Sequence, residues 1–150
     1  MASLRCPDSV PVRLYLDPYF RPCEVLDGDE LYPNGIFEFN ITRLLTHIDT
    51  EGRFRTELVA LDDIPHASST GLNEPAVLAA DLSRPVILAE IAPERYNLID
   101  GHHRVAKARL LGVPSIPAYR IRCPEHVAFL TSTSAYKAYV RYWNSKADEI

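Results

Sequence analysis

Hydrophobic and polar positions change period several times along this chain, and each change marks an element. Residues 35–41 (GIFEFNI) alternate apolar and polar side chains, the period of two expected of a half-buried strand. A helix is predicted directly behind it, because Leu44, Leu45 and Ile48 share a face at helical spacing and Asn40 or Thr42 can cap the first turn. Residues 56–61 (TELVAL) read as a strand, residues 75–82 as a short helix opened by proline, and residues 85–91 as a continuous apolar strand. A turn at residues 92–95 folds residues 96–99 back as a hairpin. Residues 102–111 read as a helix stopped by Gly112, and residues 116–121 as a strand reached through two prolines. The stretch from Glu125 is helical by composition, with a break at residues 131–133. One more strand is expected at residues 11–16, inside an otherwise irregular first 35 residues. The sum is a mixed sheet with packed helices, an α+β fold in a single domain. Its expected parts are an arm over residues 1–50 packed on the core, the core over residues 51–123, and a helical segment over residues 124–150.

Composition narrows the picture. With 150 residues, 47% of them hydrophobic and 24% charged, the chain is neither a disordered tail nor a fibrous repeat. Twelve prolines exclude an all-helical bundle. Cys6, Cys23 and Cys123 are odd in number and far apart without zinc-type spacing, which points to a reducing compartment. The first 20 residues lack the apolar core of a signal peptide, and no window approaches 18 consecutive apolar residues, so a cytoplasmic protein with no membrane partner is expected. Residues 1–100 carry 8 basic and 17 acidic side chains, whereas residues 101–124 carry five basic groups and no acid. Positive charge is thus concentrated in one short stretch.

That stretch carries the candidate chemistry. Residues 98–112 (LIDGHHRVAKARLLG) pass from a strand through a single glycine into a helix. The first turn of a helix has unpaired N–H donors and a partial positive charge, and a glycine lets an oxyanion approach the main chain. Phosphate is the natural guest, with Gly101, His102, His103, Arg104 and Lys107 as its binding residues and Arg104 able to grip an oxyanion bidentately. Projected on a helix, Arg104 falls on a largely apolar face and needs a partner there: a bound phosphate, Asp100, Glu57 or Glu90. In the structural alternative Arg104 is half of a buried ion pair and Asp100 is the helix cap.

Residues 100–119 (DGHHRVAKARLLGVPSIPAY), preceded by the strands PVILAEI and YNLI, resemble the core of the ParB/sulfiredoxin superfamily, over about residues 56–121. The resemblance implies a ParB/sulfiredoxin-like mixed sheet in which the glycine turn and its helix bind nucleotide phosphates. Sulfiredoxins have a catalytic cysteine where this chain has His102, and partition-type ParB proteins continue into DNA-binding and dimerisation domains for which few residues remain after Ile121. The free L-serine kinases share the run Asp-Gly-His-His-Arg, with the aspartate near the reacting phosphates and a glutamate base in a loop after the first core strand. The corresponding loop at residues 61–67 has no glutamate, so Asp62, Asp63 and His66 stand as accessory candidates.

The expected function is therefore binding of a nucleotide (ATP, ADP or CTP) together with Mg²⁺, followed by phosphotransfer to a small acceptor or by hydrolysis. Asp100 and His103 are the candidate catalytic residues, and Asp100 is the metal ligand. The alternative is a non-catalytic, DNA-associated or regulatory module, which the acidic remainder of the chain disfavours. Adjacent histidines on a helix point about 100° apart, so His102 and His103 are poor joint ligands for zinc. His47 and His126 read as isolated helix-surface positions. Tyr136, Tyr139, Val140 and Trp143 recur at helical spacing and are expected in the core or at a homodimer contact.

Overall fold

The computed structural model describes residues 13–33, 37–65, 72 and 74–149. Within them the chain forms β1 (Leu31–Pro33), β2 (Glu38–Asn40), α1 (Ile41–Glu51), β3 (Glu57–Ala60), a 3₁₀ turn (Leu61–Asp63) and α2 (Glu74–Ala79). Then follow β4 (Val86–Ala92), β5 (Arg95–Asp100), α3 (His102–Leu110), β6 (Ser115–Ile121), a second 3₁₀ turn (Val127–Phe129) and α4 (Thr133–Ala147). This is the expected α+β class with a mixed sheet.

The main sheet has the strand order β3-β6-β4-β5. Its outer pairs are antiparallel, while β4 and β6 run parallel, with Val86 opposite Ala118. A parallel pair needs a crossover. Here the chain leaves the β4–β5 hairpin through α3, which returns it to the start of β6. Alternation along β4 divides the core. Val86 and Leu88 pack with Val105 and Ala108 of α3, whereas Ile87 and Ala89 face a second cluster built by α1, β2 and α4. Because β4 is covered on both faces, its first four residues, Val86–Ala89, are a continuous apolar run rather than an alternating one. The second cluster takes residues from all three parts of the chain, including Phe39, Ile41, Ile121, Tyr139 and Trp143. The aromatic stripe of α4 thus lies in the core of the chain itself.

The short β1–β2 pair lies outside the main sheet. Strand β2 stops at Asn40 instead of reaching Ile41, because the fully buried Asn40 side chain accepts the Arg43 N–H at 3.0 Å and turns the chain into α1. Gly52 ends that helix at φ +66°. The break expected at residues 131–133 is the N-cap of α4, where Ser132 accepts the Ala135 N–H.

Two expectations fail. The described part of the strand expected at residues 11–16, residues 13–16, forms no strand. The main chain of Leu14 is instead satisfied by one side chain of α4, since Asn144 accepts its N–H at 2.8 Å and donates to its carbonyl at 2.9 Å. The two histidines read as surface positions are neither exposed nor isolated. His126 is fully buried against Tyr139, and His47 Nε2 meets the Glu125 carboxylate at 2.7 Å. Among the described residues, no helix is long and apolar enough to cross a membrane.

Candidate functional site

Strand β5 ends at Asp100 and α3 begins at His102, so one residue makes the whole turn. Gly101 sits at φ +108°, and a Cβ there would lie 2.4 Å from Val86 Cγ1. Glycine is required both by backbone geometry and by the close approach of β4. Among the described residues no side chain caps α3; its N-cap is Gly101, so Asp100 is not the cap that the sequence allowed. The N–H groups of the first helical turn therefore lack intrahelical acceptors and carry the positive end of the helix dipole.

A cleft of about 440 Å³ opens over this turn. Its floor is Ile99, Asp100, Gly101, His102, His103 and Arg104; one wall is Ala76, Ala79 and Ala80 of the α2 region with Asp81 and Arg84, and the other is Glu30, Leu31, Tyr32 and Leu45. Five of the residues singled out by sequence, Asp100 to Arg104, thus come together in one depression.

The chemistry of Arg104 is decided by what it touches. Its Nη2 donates to Asp100 Oδ2 at 3.2 Å, and its Nη1 donates to the carbonyls of Arg84, at 3.2 Å, and Pro85. Both members of the pair are buried, at 9% and 8% exposure. The other candidate partners are engaged elsewhere: Glu57 accepts from Arg120 Nε at 2.9 Å, and Glu90 accepts the N–H groups of Glu94 and Cys123. Arg104 therefore fastens the helix start to the beginning of β4, with Asp100 as its counter-ion.

Lys107 lies apart from the cleft lining and donates instead to the Ala80 carbonyl at 2.8 Å, near the end of α2. Arg109 Nη2 donates to the carbonyls of Leu61 and Ile64, holding the first 3₁₀ turn against α3. Asp62 and Asp63 sit exposed on that turn and do not line the cleft. They are thus not gathered with the glycine turn, while His66 lies outside the described residues.

His102 and His103 line the cleft and are half-buried. The His102 ring stacks on Tyr32, with centroids 5.3 Å apart and planes 14° from parallel. Burial pushes the His102 pKa below the usual imidazole value and outweighs the opposing effect of Asp100, which favours the neutral ring. Asp81 is held below the usual carboxylate range by the hydroxyl and N–H of Ser83.

The residue that sequence reasoning missed is Glu30. It belongs to the irregular arm, 70 positions before Asp100, and no local period marks it. Its backbone is fixed by the start of α1: the carbonyl accepts the Ile41 N–H at 2.8 Å, and its N–H donates to Thr42 Oγ1 at 2.7 Å. The neighbouring Asp29 accepts from the side chain of Asn40 at 2.8 Å and from the Leu26 N–H at 2.9 Å. These bonds bring the acidic run at residues 27–30 onto the helix cap. Partial burial in the cleft wall raises the Glu30 pKa, Asp100 raises it further, and Arg104 and Arg84 oppose the shift. A carboxyl held near another carboxylate, with its pKa moved toward neutrality, suits proton transfer. The one signal in the sequence was the pairing of Asn40, a good cap, with an acidic run that needs donors.

In comparisons with protein-family models, with curated proteins and with solved structures, the chain finds no match.

Proposed function

We propose that the cleft binds the phosphates of a nucleotide with Mg²⁺ and transfers the terminal phosphoryl group to a hydroxyl acceptor. The observation that carries this reading is the meeting of three things in one depression: an uncapped helix start behind a glycine turn, cationic or donor side chains at Arg84, His102 and His103, and the two carboxylates Glu30 and Asp100. The first supplies main-chain donors for phosphate oxygens, and the second adds side-chain donors.

The donor set suits Mg²⁺. Hard carboxylate oxygens are its ligands, and one or two of them suffice when phosphates and water complete the octahedron. Among the described residues no group of three or more His, Cys, Asp or Glu side chains is gathered as a metal site, so the ion would arrive with the nucleotide and be met by Asp100 alone, leaving the Glu30 carboxyl unliganded. Bound there, it would neutralise charge on the phosphates.

Glu30, rather than Asp100, is suited to take the proton, because Asp100 is committed to Arg104. The acceptor oxygen attacks the terminal phosphorus, the bond from that phosphorus to the bridging oxygen breaks, and the acceptor's proton passes to the Glu30 carboxylate. Water as acceptor gives hydrolysis by the same route. The non-catalytic, DNA-associated alternative is less favoured, because Glu30 and Asp81 would repel a polyanion at the cleft.

The test is a thermal-shift series with ATP, ADP, CTP and GTP, each with and without Mg²⁺. The expected result is a rise in melting temperature with at least one nucleotide that is larger with Mg²⁺. No shift with any of them at millimolar concentration overturns the reading.

A further inference from the structure

One wall of the cleft ends at the turn that leads into β4, and that turn carries Arg84. Arg84 precedes Pro85, whose ring restricts the residue before it to extended backbone. The Arg84 N–H donates to the Asp81 carbonyl at 3.1 Å, and the Arg84 carbonyl accepts from Arg104 Nη1 at 3.2 Å. Two residues on, Val86 lies so close to Gly101 that a Cβ there would meet it at 2.4 Å. A proline, a turn and the buried arginine of α3 thus pin the Arg84 main chain beside the glycine turn. Its side chain has no such tie. Arg84 is exposed and lines the cleft, and among the described residues its guanidinium makes no hydrogen bond and no ion pair. The neighbouring acids do not take it up. Asp100 pairs with Arg104, Asp81 accepts the N–H and the hydroxyl of Ser83 at 3.0 and 2.7 Å, and Glu30 feels the Arg84 charge without closing an ion pair.

We propose that Arg84 is the residue that grips the terminal phosphate of the ligand, in the bidentate role that Arg104 cannot fill. This rests on the reading of the cleft as a nucleotide site and deepens it. The planar fork of a guanidinium matches two oxygens of one phosphoryl group, so the ligand is a phosphate ester or anhydride that ends in a free phosphoryl group. Arg104, already committed to Asp100 and to the carbonyls of Arg84 and Pro85, acts one step back. It holds the backbone from which the free guanidinium projects, so the arginine of the helix positions the arginine of the turn. During transfer the same fork stays on the oxygens of the moving phosphoryl group and offsets their charge.

The experiment measures binding of ADP and of inorganic pyrophosphate, each with Mg²⁺, to the full chain by titration calorimetry. It compares the wild type with Arg84→Ala and Arg84→Lys and records the melting temperature of each protein without ligand. Arg84→Ala should weaken both anions about 10–100-fold, the loss of a charge-assisted pair of hydrogen bonds. Arg84→Lys should restore part of that loss, because it returns the charge without the fork. The unliganded melting temperatures should agree, since the side chain makes no hydrogen bond or ion pair among the described residues. An Arg84→Ala protein that binds ADP as tightly as the wild type overturns the assignment. So does one whose unliganded melting temperature falls with its affinity, which makes the residue structural. Pyrophosphate binding that depends on Arg84, with no binding of ADP, refutes the nucleotide reading and leaves the phosphate grip standing; a wild type that binds neither anion overturns both.

Discussion

Asp100 and Arg104 face each other across the first turn of α3, Oδ2 to Nη2 at 3.2 Å, and both are buried. The arginine that looked free to grip a phosphate is the structural half of its own motif. Truncation to Arg104→Ala leaves a buried carboxylate without its partner and strips a donor from the carbonyls of Arg84 and Pro85. Breaking such a pair from one side costs about 3–5 kcal/mol. Urea denaturation should show a loss in that range, and Asp100→Asn, which removes the counter-ion of the buried guanidinium but keeps an acceptor for it beside the carbonyls of Arg84 and Pro85, should lose less than Arg104→Ala. A fully stable Arg104→Ala protein would return this residue to the ligand.

Gly101→Ala should be as severe. Its Cβ would meet Val86 Cβ at 2.8 Å and Cγ1 at 2.4 Å, and φ of +108° is unfavourable for any L side chain. Overpacking costs about 1–3 kcal/mol and a left-handed backbone a further ~1–2. Pairing the substitution with Val86→Ala removes the Cγ1 clash but keeps the Cβ approach at 2.8 Å, so it should recover only part of the packing loss and none of the backbone part, which denaturation of both variants measures.

Asn40→Asp tests the tie between the arm and α1. Aspartate caps a helix as well as asparagine does, so the cap to Arg43 survives. The amide donors to Glu24 O and Asp29 Oδ2 do not, and the new carboxylate would face Asp29, whose oxygen now lies 2.8 Å from the amide nitrogen. The pair raises the folded-state pKa of the new carboxyl above its unfolded value. The variant should therefore lose stability as pH rises through the carboxylate range and approach the wild type as pH falls below it. Melting temperatures between pH 3 and pH 7 check the sign.

His126 predicts an acid limb of the stability curve. It is fully buried, and burial pushes its pKa down to about 4 from an ordinary 6.5. In the unfolded chain the imidazole takes up its proton near pH 6.5, while the folded protein resists until about pH 4. Stability from this group is complete above pH 6.5 and falls as pH drops through that window, by about 3 kcal/mol at the lower end. His126→Gln should flatten the stability profile across that interval, even if it lowers stability throughout.

Local rules made the main sheet and its helices readable. The period of Leu44 and Ile48, the apolar run of β4, and the glycine between Asp100 and His102 each encode their element within a few residues. What was not readable depends on pairing at long range. Residues 13–16 read as a strand by composition, but the main chain of Leu14 pairs with the side chain of Asn144 rather than with another strand. His126 looks like a surface residue until β2 and α4 close over it, and its Nε2 finds Tyr139. At the cleft, the motif was visible in the sequence and its contacts were not. Lys107 and Arg109 share the charge of their neighbours but point to carbonyls of other elements, and Glu30 reaches the cleft through a cap 10 residues further along the chain.

Helix α3 also sets how the molecule presents itself to charged partners. Its cations are largely turned inward: Arg104, Lys107 and Arg109 each end on main-chain carbonyls contributed by other segments, where they act as internal cross-links. Arg104 is neutralised by Asp100, so of the three only Lys107 and Arg109 add net positive charge beside the cleft, in a chain whose net charge is −4. A net negative chain favours compact anions that carry their own counter-cation over extended ones.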